Sequence, residues 1–246
     1  MNSIYESEKL LAEYLLFHYG EANEILPPVR DWPAGMSAAL DFPSRTVAYF
    51  SRENVSRGLD LGCAVGRSTF EMALTCDHVT GIDFSHSFIH AAESLRVGNL
   101  LEYKRLDEGE QSTKLLAHPL PGIPSTRLSF FQGDAMNLSA DLGSFDRVHA
   151  ANLLCRLPEP KKLLDRLPSL VISGGELVLA TPCTWLEEFT PRENWPVGST
   201  FEWLQSCLTP DFCLLTKAEE PFLIRESSRK FQWTTSLVTV WQRATI

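Results

Sequence analysis

Residues 59–68 have the sequence Leu59-Asp60-Leu61-Gly62-Cys63-Ala64-Val65-Gly66-Arg67-Ser68. An apolar residue precedes the acidic Asp60, and small residues follow it at alternate positions. The residues after Gly66 are typical of a helix. This pattern predicts a strand, a tight turn and the start of a helix, which is how α/β folds cradle a nucleotide-like cofactor. Glycine at two turn positions lets backbone N–H groups approach a ligand that a Cβ atom would hold away.

The spacing of the small residues indicates which cofactor the turn serves. A dinucleotide fingerprint counted from Gly62 would need glycine at positions 64 and 67, where the chain has Ala64 and Arg67, and this argues against NAD. The pattern acid-x-Gly-x-small-x-Gly is met instead, and it resembles the first motif of class I S-adenosylmethionine-dependent methyltransferases. Alanine at the middle position departs from that family's usual glycine by one methyl group. The alternative is a plain strand-to-helix turn without a ligand.

A second strand is predicted over Val79–Asp83, after a helical segment from Arg67 to about Cys76. It ends in a carboxylate at roughly the twenty-residue distance expected of an acid that binds ribose hydroxyls. An Asp at the end of a strand is also explained as a helix N-cap or a turn residue. Because the glycine turn precedes it, we favour Asp83 as a cofactor ligand.

Two further strands are predicted, over Leu128–Gln132 and Phe145–Ala151. The first runs into Asp134, where methyltransferases of this type place an acid facing the adenine amino group, although a turn residue is the alternative. The second ends at Asn152, beside the crevice where open α/β sheets bind ligands. The predicted cofactor-binding residues are Asp60, Gly62, Cys63, Ala64, Gly66, Asp83, Phe84, Ser85, Asp134, Ala135 and Asn152.

The remaining elements complete one domain over residues 1–246. A glycine turn feeds a fifth strand through Ala180, a loop and helix follow between Trp185 and Cys207, and two β-rich runs, Phe222–Arg225 and Ser236–Trp241, predict an antiparallel hairpin. We therefore expect an α/β fold of the Rossmann-like class I methyltransferase type. Its sheet would be mostly parallel and seven-stranded, with an antiparallel C-terminal hairpin and helices on both faces.

Composition narrows the function classes. The 246 residues are 44% hydrophobic, enough for a full core, and 22 basic against 31 acidic residues give a formal charge of −9, which opposes binding to nucleic acid. The N-terminus lacks the pattern of a signal peptide and no apolar run has the length of a membrane span, so we expect a cytoplasmic protein without membrane contact. Six scattered cysteines without C-x-x-C spacing predict neither a metal site nor a disulfide framework.

Two segments decorate the predicted core. Residues 1–50 form a helical extension whose first helix is predicted from Tyr5 to Tyr19, with Gly20 as its stop, packed against the sheet or over the cofactor. Its tyrosines and His18 are ligand candidates or, alternatively, aromatic core residues. Residues 98–126 form an insertion that is either a lid or a solvated segment, and the charged stretch Glu102–Glu110 is compatible with a helix.

Motifs outside the glycine turn narrow the resemblance to one family. They are Tyr-x-x-Phe-His-Tyr-Gly from Tyr14 to Gly20, Asn-Leu-Leu-Cys-Arg-Leu from Asn152 to Leu157, and Arg-Glu-x-x-Arg-Lys-Phe-Gln-Trp from Arg225 to Trp233. With the glycine turn, they make the whole chain similar to the methyltransferase of ovothiol biosynthesis. That resemblance implies methylation of an imidazole nitrogen of 5-thiohistidine. In many organisms this domain is fused behind an iron-dependent sulfoxide synthase. This chain would then be a stand-alone version, which acts after a separate synthase, or an excised domain.

The resemblance also implies roles for individual residues. The enzyme must hold an imidazole nitrogen in line with the methyl group, and a neighbouring polar side chain would select the tautomer; the candidates are His18, Tyr19 and Asn152. The carboxylate of an amino-acid substrate requires a cation, and Glu226 is a candidate acceptor for its amine. The predicted substrate-binding residues are Tyr14, His18, Tyr19, Arg156, Arg229 and Lys230. Methylation of another small metabolite and a catalytically silent cofactor-binding protein are the alternatives.

Overall fold

The computed structural model describes residues 3–29 and 31–245. Within these residues, seven strands form one sheet and two more form a separate hairpin. The helices are α1 (Glu8–Tyr19), α2 (Ala22–Ile25), α3 (Phe42–Val47), α4 (Arg67–Met72), α5 (His86–Arg96), α6 (Pro160–Leu170) and α7 (Thr200–Leu208). The strands are β1 (Val55–Leu61), β2 (Cys76–Asp83), β3 (Leu101–Glu108), β4 (Gln111–Ala117), β5 (Leu128–Gln132), β6 (Phe145–Ala151), β7 (Val171–Thr181), β8 (Phe212–Arg225) and β9 (Phe231–Arg243).

The large sheet has the strand order β5-β2-β1-β6-β7-β9-β8. Strands β5, β2, β1, β6 and β7 are parallel, whereas β9 runs antiparallel to both β7 and β8. The predicted mostly parallel sheet with an antiparallel C-terminal hairpin is thus confirmed. Because the chain builds outward from β1 in both directions, the sheet has its topological switch point beside β1, and ligands of open α/β sheets bind there.

Hydrophobic cores lie on both faces of the sheet. Helix α6 packs on the sheet through one apolar face. Its residues recur at helical spacing and are all buried: Leu163, Leu164, Leu167 and Leu170. Strand β7 is covered on both faces, and residues 177–180 form a continuous apolar run without exposed surface. The middle of the sheet is therefore packed with apolar side chains on both faces.

The N-terminal helix begins later than the sequence predicts. Ser7 caps α1 by accepting a hydrogen bond on Oγ from the Leu10 amide at 3.3 Å, and Tyr5 lies in a preceding 3-10 turn. The predicted stop is confirmed, because the helix ends at Tyr19 and a Cβ atom on Gly20 would lie 2.5 Å from the Leu16 carbonyl oxygen. The proline-rich residues 27–33 form no helix or strand in their described part. Arg30 lies outside the described residues.

The prediction of a helix over Glu102–Glu110 is wrong, because this segment forms the antiparallel hairpin of β3 and β4. Tyr103 on β3 and Ala117 on β4 are buried, and Gly109 lies in the turn between the two strands with φ +57°. The hairpin packs against α1 and α5. Helix α4 also ends at Met72, before the predicted Cys76, because Cys76 already pairs with Val55 in the sheet. No helix among the described residues has the length and apolar character needed to cross a membrane.

Candidate active site

The glycine turn after β1 is left-handed at three alternate positions. Gly62, Ala64 and Gly66 have φ values of +69°, +48° and +92°. The amide of Gly62 donates to the Ile82 carbonyl at 2.8 Å, which ties the turn to β2. Alanine at the middle position is therefore a larger departure than one methyl group, since it holds a conformation that favours glycine.

Asp83 lies beside this turn and is held by backbone amides. Its Oδ2 accepts a hydrogen bond from the Ala64 amide and its Oδ1 accepts one from the Ser85 amide, each at 2.9 Å. Burial raises the pKa of Asp83 to about 6, although these two hydrogen bonds oppose the shift. Its carboxylate faces a cavity, where it can accept hydrogen bonds from a vicinal diol such as a ribose.

The cavity has a volume of about 1050 Å³ and runs from the glycine turn past the ends of β2, β5 and β6 to α1. Most of the predicted site residues line it. These are Tyr14, His18, Gly62, Ala64, Asp83, Phe84, Ser85, Asp134, Ala135, Asn152 and Arg156. Asp134 also stabilises its own turn, because its carboxylate accepts from the Met136 amide at 2.9 Å. The cofactor and turn interpretations of this residue are therefore compatible.

Asp60 is among the predicted residues that do not line the cavity. It is 1% exposed, and its carboxylate accepts hydrogen bonds from Ser68 Oγ at 2.6 Å and Thr69 Oγ1 at 2.7 Å. His149 Nδ1 lies 2.8 Å from its Oδ1. Although burial opposes ionisation, His149 and the two hydroxyls hold the pKa of Asp60 below its usual value. This carboxylate holds the start of α4 and His149 beside the end of β1, and it has no surface in the cavity.

Gly66 and Cys63 also lie outside the cavity lining. A Cβ atom on Gly66 would meet the Phe130 ring at 2.8 Å, so glycine is needed there for packing as well as for its backbone angle. Cys63 is buried and its Sγ contacts the adjacent Ala64 carbonyl. Their prediction as ligand contacts is corrected to a supporting role.

Three predicted substrate residues point away from the cavity. The Tyr19 hydroxyl donates to the Val65 carbonyl at 2.9 Å, because Tyr19 lies a third of a turn from His18 and faces α4. Arg229 and Lys230 lie exposed in the β8–β9 turn, where Lys230 Nζ pairs with Glu226 Oε2 at 2.5 Å. The structure therefore gives these three no contact with the cavity surface.

His18 lies at the end of the cavity formed by α1. Its ring stacks on Tyr14 with centroids 5.9 Å apart, and it is 9% exposed. Burial lowers the pKa of His18 to about 3, so its imidazole is uncharged at neutral pH. Among the described residues, none forms a hydrogen bond with its Nδ1. This buried polar atom is therefore available for a hydrogen bond to a ligand in the cavity.

Arg156 brings a fixed positive charge to the same cavity. Its guanidinium lies 4.7 Å from the centroid of the Phe189 ring and donates to the Cys155 and Thr184 carbonyls at 3.2 and 3.3 Å. Asn152, at φ +54°, holds its side chain by accepting from Ser236 Oγ at 2.7 Å. Both residues follow β6, as the sequence predicts.

Several cavity residues were missed by sequence reasoning. Glu13, Phe17, His149, Phe189, Phe222 and Gln232 all line it. Glu13 alone carries a recognisable signal, because it is a charged residue between Leu10 and Phe17 on an otherwise apolar helix face. Phe17 lies on the same helix, whereas the others come from β6, β8, β9 and the loop after β7, and only the tertiary fold brings these together.

The cavity surface fits an adenosyl cofactor. Asp83 provides an acceptor for ribose hydroxyls, and the half-exposed ring of Phe84 lies beside Asp134 and Ala135, where a flat base can pack. Gly62 exposes backbone at the same cavity, since its left-handed conformation and missing Cβ leave the surface open. These residues provide the acidic and glycine contacts expected from the strand ends.

Comparison with known proteins agrees with this geometry. Residues 59–179 match a family model described as a methyltransferase domain. The ubiquinone biosynthesis O-methyltransferase of Dechloromonas aromatica strain RCB is 28% identical over 127 residues, 51% of this chain. The matched region spans only 44% of that relative.

Solved structures share the fold. The N-methyltransferase NodS from Bradyrhizobium japonicum WM9, in complex with S-adenosyl-L-homocysteine, is 16% identical with a TM-score of 0.56, covering 95% of this chain and 98% of that one. A SAM-dependent methyltransferase from Methanosarcina mazei is 18% identical with a TM-score of 0.54, covering 81% of this chain and 96% of that one. Together with the domain match, they show that residues 59–179 resemble a methyltransferase domain and that the chain has the Rossmann-like fold of S-adenosylmethionine-dependent methyltransferases.

Proposed function

We propose that this methyltransferase transfers a methyl group to an imidazole nitrogen of 5-thiohistidine and so forms ovothiol A. The observation that carries the proposal is one continuous cavity that joins Asp83 to an aromatic chamber containing an uncharged imidazole, His18, and a fixed cation, Arg156. The resemblance of the outer motifs to the ovothiol family supports the same substrate. When bound, S-adenosylmethionine supplies a methyl group on a positively charged sulfur, which is a good leaving group.

The chamber suits a small flat ring. The side chains of Tyr14, Phe17 and Phe222 line it, and Tyr14 already stacks on His18. An imidazole packed among these rings would lose most of its rotational freedom, and good alignment with a methyl donor lowers a barrier by about 7–11 kcal/mol. The residues of α1 therefore contribute chiefly by orienting the acceptor and excluding water.

His18 suits the selection of a substrate tautomer. Because its pKa lies far below neutrality, the imidazole can donate from one nitrogen and accept at the other without placing a charge beside the acceptor. If His18 accepts a hydrogen bond from the N–H nitrogen of the substrate ring, the lone pair on the other ring nitrogen stays free to attack. The substrate proton can leave after transfer, so the reaction needs no strong base.

Arg156 suits the carboxylate of an amino acid. Its position over Phe189 and its bonds to two carbonyls fix the guanidinium before any substrate arrives. We further propose that the enzyme acts in the cytoplasm, after a separate iron-dependent sulfoxide synthase, with a small-molecule substrate and no nucleic acid or membrane partner. The resemblance to the ovothiol family and the formal charge of −9 support this.

Methylation of another small molecule is the second candidate. The aromatic chamber also suits a phenol, and the relative from Dechloromonas aromatica is named as an O-methyltransferase. A phenol requires a proton acceptor at its oxygen, and His149 also lines the cavity. Both of its ring nitrogens are engaged, however, one 2.8 Å from Asp60 and the other 3.1 Å from Thr46 Oγ1, which favours an acceptor that needs no base.

The test is incubation of the protein with methyl-labelled S-adenosylmethionine and 5-thiohistidine, with histidine and a simple phenol in parallel. We expect label on a ring nitrogen of 5-thiohistidine, located by NMR, and much less label when Asp83→Ala replaces the wild-type protein at limiting cofactor. Label on the phenol with none on 5-thiohistidine would replace the first candidate by the second. Tight cofactor binding without transfer to any acceptor would favour a silent binding protein.

A further inference from the structure

Glu13 is a carboxylate placed where the fold does not need one. Its side chain is 10% exposed, it lines the cavity from α1, and no described residue forms a hydrogen bond with its Oε1. Burial raises the pKa of Glu13 above its usual value. A buried carboxylate oxygen without a hydrogen-bonding partner is unfavourable in the ligand-free protein, and such atoms occur where a ligand supplies the missing donor.

The charged side chains described around Glu13 provide no hydrogen bond to its Oε1. Lys9 Nζ lies 3.7 Å from Oε1, beyond hydrogen-bonding distance, and the Lys9 side chain is 66% exposed. Glu226 adds a second negative charge on the facing β8–β9 turn, and Lys230 is already paired with Glu226. Gln232 lines the cavity beside them and donates from Nε2 to Glu226 Oε1 at 2.9 Å. This end of the cavity is therefore negative and lacks a directly bonded cation.

The opposite charge lies in the same cavity, at Arg156. Burial raises the pKa of Tyr14, and the charges of Arg156, Asp83 and Glu13 also act on its hydroxyl. The cavity lining thus includes a carboxylate on α1, a guanidinium after β6 and several aromatic rings. This arrangement complements a molecule that carries an ammonium and a carboxylate on one short, partly aromatic skeleton.

We infer that Glu13 binds the protonated amine of the acceptor, so that Glu13 and Arg156 together select a zwitterionic amino acid. This inference deepens the proposed function, and it differs from the sequence expectation that Glu226 accepts the amine. Glu226 does not line the cavity and is engaged by Lys230 and Gln232. Gln232, held by Glu226, is placed to confine the amine side of the ligand.

The test measures ligand binding to protein saturated with S-adenosyl-L-homocysteine, by calorimetry. Two matched pairs of probes differ only in the amine: 5-thiohistidine with its des-amino analogue, and tyramine with 4-ethylphenol. The variant is Glu13→Gln, which keeps the shape and removes the charge. Glu8→Gln is the matched control, because Glu8 is exposed on the same helix. Affinity for S-adenosyl-L-homocysteine and the melting temperature report whether each variant remains folded.

We expect the wild-type protein to prefer the amine-bearing member of a pair by about tenfold or more, and Glu13→Gln to abolish that preference while Glu8→Gln keeps it. Equal weakening of both members of a pair would show a structural role and overturn the inference. So would a preference that survives in Glu13→Gln, or no preference in either pair.

The experiments distinguish a failure of amine recognition by Glu13 from a failure of the proposed methylation of 5-thiohistidine. A Glu13-dependent preference confined to the tyramine pair, without methylation of 5-thiohistidine, would retain amine recognition and reject the ovothiol reaction. Methylation of 5-thiohistidine with a des-amino analogue bound equally well would do the reverse.

Discussion

The Asp83 carboxylate accepts a hydrogen bond from the backbone amide of Ala64 at 2.9 Å, so the end of β2 holds the turn that follows β1. The same carboxylate faces the cavity. One side chain thus shapes the cofactor cleft and offers it an acceptor, and both roles can be tested by substitution.

Replacing Asp83 by alanine should weaken binding of S-adenosyl-L-homocysteine by about 1–3 kcal/mol, because a buried acceptor for ribose hydroxyls is lost. Calorimetry on the folded variant measures this directly. Asp77→Ala is the control, since Asp77 is an exposed acid near the other end of the same strand. Unchanged affinity in Asp83→Ala would reject the assigned role.

Cofactor affinity should also depend on pH through Asp83. Burial raises the pKa of this carboxyl to about 6, with Asp60 and Glu6 adding to the shift. Ribose hydroxyls donate to the ionised form, so affinity should increase as pH rises through about 6 and level off above it. Titrations between pH 5 and 8 should show this dependence in the wild type and a flatter profile in Asp83→Asn. An equal slope in both proteins would assign the dependence to another group.

His18 and Tyr19 should respond differently to substitution although they are adjacent. His18→Phe removes a polar group from the cavity and should lower kcat/KM by about 10- to 100-fold, with cofactor affinity kept. Tyr19→Phe removes only the bond to the Val65 carbonyl, so it should cost about 0.5–1.5 kcal/mol of unfolding free energy and leave kcat/KM nearly unchanged. Steady-state kinetics and urea unfolding separate the two, and a larger kinetic defect in Tyr19→Phe would reverse the assignment.

Arg156→Ala should raise the KM for the amino-acid substrate by about tenfold and leave cofactor affinity nearly intact, because the cation that faces the substrate carboxylate is lost. Arg156→Lys should recover part of the loss, since the charge remains but the fixed geometry over Phe189 does not. The measurements are substrate saturation curves and calorimetry with S-adenosyl-L-homocysteine. A fall in cofactor affinity would move Arg156 to the cofactor end of the cavity.

Ala64→Gly should lower the free energy of unfolding much less than Ala92→Gly does. A left-handed alanine costs roughly 1–2 kcal/mol, which glycine relieves, whereas Ala92→Gly in α5 relieves nothing and loses a buried methyl group. We expect the unfolding free energies of the two variants to differ by at least about 1 kcal/mol. Equal losses would mean that the turn relaxes around Ala64.

The cofactor end was predictable because its residues follow strands. Asp83 and Asp134 come at strand ends that parallel pairing brings to one edge, so their order along the chain fixes their place in the molecule. The same reasoning predicted Asp60 as a cofactor contact. The sequence could not show that the Asp60 carboxylate accepts hydrogen bonds from Ser68 and Thr69 and lies beside His149.

The substrate end was less predictable for geometric reasons. Adjacent residues on a helix differ by about 100° in direction, so the motif that contains His18 and Tyr19 could not show which of them faces the cavity. The β3–β4 hairpin was missed because the apolar alternation of β3 is limited to Leu101 and Tyr103, and the charged residues that follow hide the signal for a strand.

Helix α1 supplies Glu13, Tyr14 and His18 to the chamber, yet it lies outside residues 59–179, the segment that matches the methyltransferase family. Kinship across the matched core therefore carries information about the methyl donor and very little about what receives the methyl group. Exchanging residues 8–19 between related enzymes should redirect acceptor choice while the donor site stays as it is.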